Sequence, residues 1–119
     1  MSTQDDPGSR RRDARVAVDF PVTVILPGHE LVLGGAALDL SEGGMRVATT
    51  SDLPPGQRVI VRFAFPSGAH DVLVHGVIVL SFYDARRCHY AHGIAFTQYT
   101  ERDKAAIAAF IRDRLGAAP

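Results

Sequence analysis

The sequence predicts a mainly β fold, in which six antiparallel strands form a small barrel or sandwich and one α-helix follows near the C-terminus. In several short segments apolar residues alternate with polar ones, and glycine or proline turns separate these segments. After Thr97 the apolar spacing changes to every third or fourth residue, which is typical of an amphipathic helix. Short strands at such regular intervals are typical of small antiparallel β domains.

The first two predicted strands form a hairpin. The first runs from Val16 to Leu26, where valine, phenylalanine and leucine occupy every second position. Pro21 lacks a backbone N–H, so it must lie at a sheet edge or a bulge. Pro27-Gly28 indicates a turn, and we expect residues 30–40 to return antiparallel. Gly34-Gly35 in this second strand predicts a bulge or a sharp bend.

Four more strands and the helix are expected after a turn at Ser41 to Gly44. The strands are predicted at 45–49, 58–65, 71–82 and 88–97. The run Val77 to Leu80 is apolar at consecutive positions, so we expect both of its faces to be covered. The helix is expected over 100–115. Thr100 is its N-cap with Asp103 as a capping-box-like partner, and its buried stripe is Ile107, Phe110, Ile111 and Leu115.

Length, charge and cysteine content restrict the function classes. A chain of 119 residues is the size of one domain, and 13 basic residues balance 13 acidic ones. A neutral protein does not coat nucleic acid or an acidic membrane through its overall field. The single cysteine allows no internal disulfide, residues 1–9 lack a signal peptide's apolar core, and no apolar run approaches the roughly 18 residues of a membrane span. We therefore expect a cytoplasmic protein with a disordered tail over 1–9.

Two short motifs provide ligand-binding chemistry. Four arginines fall within the six residues Arg10 to Arg15, and Asp39-Leu40-Ser41-Glu42-Gly43-Gly44 follows the second predicted strand. Arginine can donate paired hydrogen bonds to guanine O6 and N7 or to a phosphate, and a carboxylate can accept from guanine's ring N–H and amine. Because antiparallel pairing around Pro27-Gly28 brings the two motifs together, we expect a pocket between them. Mutual repulsion should keep the arginine segment mobile until an anionic ligand orders it.

This pair of motifs resembles the signature of the PilZ domain, the bacterial receptor module for cyclic di-GMP. Arg11 and Arg15 match its Arg-x-x-x-Arg element, and Asp39, Ser41 and Gly44 match its Asp/Asn-x-Ser-x-x-Gly element. The resemblance extends from Arg10 to the C-terminal helix. It implies a six-stranded antiparallel β-barrel over 16–97 with a C-terminal α-helix over 100–115, within a domain spanning 10–116.

The resemblance also assigns roles at a cyclic di-GMP site. Arg11 and Arg15 would contact guanine edges and phosphates, Asp39 would accept from guanine, Ser41 would hydrogen-bond the ligand, and Gly44 would shape the turn. Family members with an arginine at the position of Arg10 can hold two stacked cyclic di-GMP molecules, so we expect that stoichiometry. From the sequence, Arg12 is expected to be a solvated or phosphate-contacting neighbour. Arg46, which follows the turn, is expected to be an exposed strand arginine, with a position facing the ligand as the alternative.

Other functional classes find less support in the residues. His89 and His92 should lie on opposite faces of a strand, and His70 and His75 likewise, so we expect no metal site. Cys88 is expected on a strand without a motif that would make it a nucleophile, and no catalytic set of residues is evident. We therefore expect a non-enzyme.

The predicted protein is a stand-alone cyclic di-GMP receptor that regulates a protein partner in trans, with outputs such as motility, pilus assembly or polysaccharide synthesis. Two alternatives remain open: a PilZ-like adaptor that binds no nucleotide, and a small RNA-binding β-barrel. RNA-binding barrels usually display aromatic residues among basic ones. Here Tyr83, Tyr90 and Tyr99 are separated from the arginine run.

Overall fold

The computed structural model describes residues 14–66, 68 and 70–116. They form seven strands and one helix, and six of the strands close into an antiparallel barrel, which confirms the predicted fold class. In chain order the elements are β1 Val16–Ala17, β2 Pro21–Leu26, β3 Leu31–Ser41, β4 Gly44–Thr49, β5 Arg58–Phe63, β6 Val72–Asp84, β7 His89–Gln98 and α1 Glu101–Gly116. The predicted tail at 1–9 lies outside the described residues.

The barrel closes because β3 pairs with strands on both sides. The ring runs β3, β2, β5, β6, β7, β4 and back to β3, and every pairing is antiparallel. The short β1 extends the β2 side of β3, with Val16 opposite Leu40 and Ala17 opposite Asp39. The single strand predicted over 16–26 is therefore interrupted before Pro21, whose ring cannot donate to a ladder. The hairpin still brings the residues before β1 beside the end of β3.

Alternation along the strands places one face of each strand in the core. In β2, for example, Val22, Val24 and Leu26 are buried. The predicted bulge at Gly34-Gly35 is wrong, because both glycines pair regularly with β2 and the register shift lies between Ala37 and Asp39, opposite β4. Gly35 lacks a side chain because β4 passes close by: an added Cβ would lie 2.7 Å from the Ala48 carbonyl oxygen.

Helix α1 closes one end of the barrel through an aromatic cluster. The Phe110 ring stacks on Phe65 at 4.3 Å between centroids, and Phe20 packs edge-on against both rings. Ile107 and Ile111 of the predicted stripe are buried. Leu115 does not follow the prediction, because it lies in the last turn beyond the barrel wall and is 49% exposed.

The start of α1 is held by Thr100 and Asp103. Thr100 Oγ1 accepts a hydrogen bond from the Asp103 amide at 3.1 Å, as an N-cap should. The buried Asp103 carboxylate does not complete a capping box; its Oδ2 accepts from the Leu73 amide of β6 at 3.1 Å. This residue therefore joins the helix start to the barrel. No helix among the described residues is long and apolar enough to cross a membrane.

The outer half of β6 differs from the prediction. Val79 and Leu80 are 57% and 55% exposed, so the apolar run is not covered on both faces. The reason is local: β5 pairs with β6 only as far as Val77, and a register shift against β7 falls between Ile78 and Leu80. Cys88 lies in the turn before β7, with a φ of 55°, rather than on the strand, and it is exposed.

Candidate functional site

Strand register brings the arginine segment to the Asp39 carboxylate. Because Ala17 faces Asp39 across the β1–β3 pair, Arg15 lies at the end of that pair. Its Nη1 donates to Asp39 Oδ1 at 2.7 Å. The carboxylate is buried, with a side chain only 7% exposed, whereas the arginine side chain is 46% exposed. The site thus combines a fixed anion with a guanidinium that reaches solvent.

A second guanidinium reaches Asp39 from β4. The two-residue turn Glu42-Gly43 pairs Ser41 with Gly44, and this register places Arg46 directly opposite Asp39. The Arg46 backbone amide donates to Asp39 Oδ1 at 3.2 Å, and its Nε donates to Oδ2. Its side chain is 50% exposed. The sequence analysis favoured an exposed strand arginine over a position facing the ligand, although the register of so short a hairpin already implies the pairing of residues 39 and 46.

A cavity of about 490 Å³ lies beside this cluster, a size that small-molecule sites commonly have. Arg15, Asp39 and Arg46 form its charged side. The exposed side chains of Val79 and Leu80 form an apolar wall. Gly93, the partner of Leu80 on β7, lies beside them and adds no side chain. The cavity therefore offers cationic donors beside a surface on which a flat apolar group can pack. No sequence pattern indicated that wall, because a continuous apolar run predicts a buried segment.

The turn between β3 and β4 is rigidly supported. Ser41 is buried, and its hydroxyl donates to the Gly44 carbonyl oxygen at 3.2 Å; it does not line the cavity. Gly44 does line it, and a Cβ at that position would lie 2.5 Å from the Ile94 carbonyl oxygen of β7. Glycine is required here by the close approach of β7. The Tyr99 hydroxyl donates to the Glu42 carbonyl oxygen at 2.8 Å, and burial raises the Tyr99 pKa, with further increases from Glu42 and Glu101.

Of the six predicted site residues, the structure brings Arg15, Asp39 and Gly44 to one cavity, and it places Ser41 just beneath the turn. Arg10 and Arg11 lie outside the described residues. Among the described residues, no group of three histidine, cysteine, aspartate or glutamate side chains is arranged to hold a metal ion.

Comparison with known proteins identifies the family. The sequence model of the PilZ domain matches residues 9–113, nearly the whole chain. The chain belongs to the PilZ domain family. No curated protein sequence matches it at a significant level. Its membership of the PilZ family rests on the match to the family's sequence model.

Solved structures share this PilZ fold at low sequence identity. The Bacillus subtilis inhibitor of motility (MotI/DgrA) superposes with a TM-score of 0.75 at 14% identity, covering 88% of this chain and 51% of that one. The PilZ domain of YcgR from Escherichia coli, solved with c-di-GMP, gives 0.62 at 12% identity, covering 88% and 96%. The MrkH–c-di-GMP complex of K. pneumonia gives 0.71 at 14%, covering 89% and 52%. The chain thus spans about half the length of MotI and MrkH.

Proposed function

We propose that this protein is a receptor for cyclic di-GMP. The observation that carries the proposal is the cluster of Arg15 and Arg46 around the buried Asp39 at the edge of a ligand-sized cavity. Membership of the PilZ family supports it, as do the structural neighbours that contain c-di-GMP. Guanidinium groups suit both phosphates and the acceptor edge of guanine, and the carboxylate suits the donor edge.

In the proposed complex, Arg15 and the neighbouring Arg11 bind phosphate and guanine, and Asp39 accepts from guanine. Val79 and Leu80 supply apolar surface against which a purine can pack. Gly43 and Gly44 let the ligand approach the backbone of the turn. The contact assigned to Ser41 stays a prediction of the motif, and its bond to Gly44 supports the shape of the turn.

The response to the ligand is proposed to be a change in the arginine segment. Four cationic side chains at Arg10 to Arg15 repel one another, and a dianionic ligand would draw them over the cavity. Arg10 adds a guanidinium that two stacked ligands would require. We propose that the ordered segment forms part of a new surface for a protein partner in trans, in the cytoplasm, with motility, pilus or polysaccharide production as the output. The role is regulatory rather than catalytic.

Calorimetric titration of the purified protein with cyclic di-GMP tests the proposal, with cyclic di-AMP and GTP as competitors of different base or charge. We expect selective binding, with a molar ratio of two ligands per chain if Arg10 acts as proposed. The R15A variant should bind roughly ten-fold or more weakly, since a charge-assisted hydrogen bond is lost. R62A is the matched control, because Arg62 is an exposed β5 residue outside the cavity.

Three outcomes decide between the functional classes. Binding of cyclic di-GMP that R15A weakens and R62A does not would support the receptor. The absence of any heat or competition at high ligand concentration would contradict it and leave a nucleotide-independent adaptor. Binding of RNA oligonucleotides in place of the dinucleotide would instead favour the RNA-binding class.

A further inference from the structure

Arg46 lies outside the family signature, yet the structure attaches it to the centre of the site. It makes two hydrogen bonds to Asp39, one through its backbone amide and one through Nε. Among the described residues its two terminal nitrogens donate to no side chain or carbonyl, and they belong to a half-exposed side chain that lines the cavity. The guanidinium is thus fixed at one end, with donors still available at the other.

The bonds on Asp39 determine which of its partners can exchange. Oδ1 accepts from both Arg15 Nη1 and the Arg46 amide, which occupies its two lone-pair positions. Oδ2 accepts only from Arg46 Nε, so one position remains. A guanine that presents its ring N–H and its amine needs one acceptor on each oxygen. Arg15 must therefore leave Oδ1, whereas Arg46 can keep both of its bonds.

We propose that Arg46 is a base-reading residue of this site, which donates from a terminal nitrogen to O6 of the guanine held by Asp39. Once Arg15 has moved away, the two carboxylate oxygens of Asp39 and a terminal N–H of Arg46 form a row of two acceptors followed by one donor. The Watson–Crick edge of guanine presents two donors and then an acceptor. Adenine carries an amine in place of O6, so it would meet the guanidinium with a second donor. This inference rests on the proposed function and explains how the site would select guanine.

The structure separates the roles of the two arginines. Arg15 precedes a strand of only two residues, and Nη1 is its one bonded group among the described residues, so it is free to move to the ligand. Arg46 lies within β4, which pairs with β3 on one side and β7 on the other. Its Cα and Nε are therefore fixed before any ligand arrives, which suits a residue that reads a base.

A chemical double-mutant cycle tests whether Arg46 reads O6. Cyclic di-GMP and its analogue with sulfur in place of O6 are titrated into the unmodified protein, R46M and R46K. Methionine keeps most of the stem and removes every N–H donor, and lysine keeps a charged donor. R62M is the matched control on β5, outside the cavity. Thermal melts of each variant establish that the fold is retained.

We expect R46M to bind cyclic di-GMP roughly ten-fold more weakly, and the penalty for the sulfur analogue to shrink about five-fold relative to the unmodified protein, since sulfur is the weaker acceptor. R46K should keep most of the penalty, and R62M all of it. A sulfur penalty that is equal in R46M and the unmodified protein would overturn the inference, even if R46M binds weakly, because Arg46 would then act only by positioning Asp39. If the unmodified protein binds no cyclic di-GMP, the receptor proposal itself fails.

Discussion

Two aspartates of this chain are similarly buried but have different kinds of partners. Asp39 and Asp103 are 5% and 3% exposed. Asp39 is bound by two guanidinium groups whose side chains are about half exposed and line a cavity. Asp103 accepts a hydrogen bond from the Leu73 amide of β6. Arg102 and His70 approach its other oxygen only to 3.5 and 3.6 Å and make no hydrogen bond to it. Burial alone therefore does not indicate a functional carboxylate. What matters is whether the groups bonded to the carboxylate can leave it, so that a ligand can take their place.

The largest expected effect is on ligand binding by D39A. Removal of the carboxylate takes away the two acceptors proposed for guanine and the anchor for Arg15 and Arg46. We expect affinity for cyclic di-GMP to fall about 100-fold or more, because hydrogen bonds to a charged group are the strong ones. The free energy of unfolding should fall by about 1–2 kcal/mol, since both guanidinium groups can turn to water but the Arg46 amide loses its acceptor. Calorimetric titration measures the affinity, and urea unfolding measures the free energy of unfolding. A D39A variant that is strongly destabilised but still binds cyclic di-GMP would contradict the contrast between Asp39 and Asp103.

The converse change, D103A, should affect stability and spare binding. It leaves the Leu73 amide without its acceptor and detaches the helix start from β6. We expect a loss of about 1–3 kcal/mol in the free energy of unfolding, which is the usual cost of an unsatisfied buried group. D103N serves as a milder companion, because its amide oxygen can still accept from Leu73. A loss of affinity for cyclic di-GMP in a folded D103A would mean that the helix start belongs to the binding apparatus.

His92 is a buried titratable side chain that, like Asp103, contacts only the protein's own groups. Its Nδ1 lies 2.8 Å from Ser81 Oγ, and its Nε2 lies 2.9 Å from Thr49 Oγ1 and 3.1 Å from the Ser51 carbonyl oxygen. Burial lowers its pKa, an effect only partly offset by the Ser51 carbonyl and the nearby Asp52. These contacts join β6 and β7 to the end of β4 and the loop after it, and the histidine at their centre is buried.

A lowered pKa in the folded state gives a definite pH dependence. Above the ordinary histidine pKa of about 6.5 the group is neutral in both states and costs nothing. As pH falls through that value the unfolded chain takes up the proton first, so the free energy of unfolding decreases until the folded pKa is passed. We expect stability to fall from pH 7 toward pH 5 and the H92Q variant to show a shallower decline. Equal slopes for the two proteins would assign the pH dependence to other groups.

The smallest effect is expected for R102A. Arg102 Nε lies 3.5 Å from Asp103 Oδ1, but its side chain is 68% exposed. Water screens such a pair, so the free energy of unfolding should change by less than about 0.5 kcal/mol. The Arg15 side chain is also largely exposed, at 46%, so R15A should have a small effect in urea unfolding, yet it should weaken ligand binding. Similar melts and different titrations for these two variants would show that exposed arginines differ by where they point.

Local sequence rules predicted most of the barrel and half of the site. Alternation and turn residues were enough for six strands, because most strands bury one face; β4 is buried on both. The hairpin around Pro27-Gly28 also implied that Arg15 would reach Asp39. Pro21 indicated an edge or a bulge but not that the strand would break before it. The register shift at Asp39 could not be read from the pattern, because bulges depend on how neighbouring strands curve.

The apolar wall was missed for a related reason. Val79 and Leu80 have the composition of a core segment, and only the shortness of β5 leaves them exposed. Arg46 was classified as an ordinary exposed residue because its partner is seven positions away, across the turn. Both features follow from pairing between strands rather than from the residues themselves, so a sequence pattern that treats each strand separately does not contain them.

The contact between the last turn of α1 and β1 has a thermodynamic consequence. Arg114 donates to the Ala17 carbonyl oxygen at 3.0 Å and lies over the Phe110 ring, so the helix end touches the two-residue strand that follows Arg15. If the ligand moves that strand, the surroundings of the helix end change. A partner that binds the helix end would in turn shift the strand between its ligand-free and ligand-bound positions. Such coupling is reciprocal: the factor by which the nucleotide strengthens the partner equals the factor by which the partner strengthens the nucleotide. The nucleotide affinity measured on the isolated chain would then be a lower bound on the affinity of the complex with a partner that favours the nucleotide-bound state.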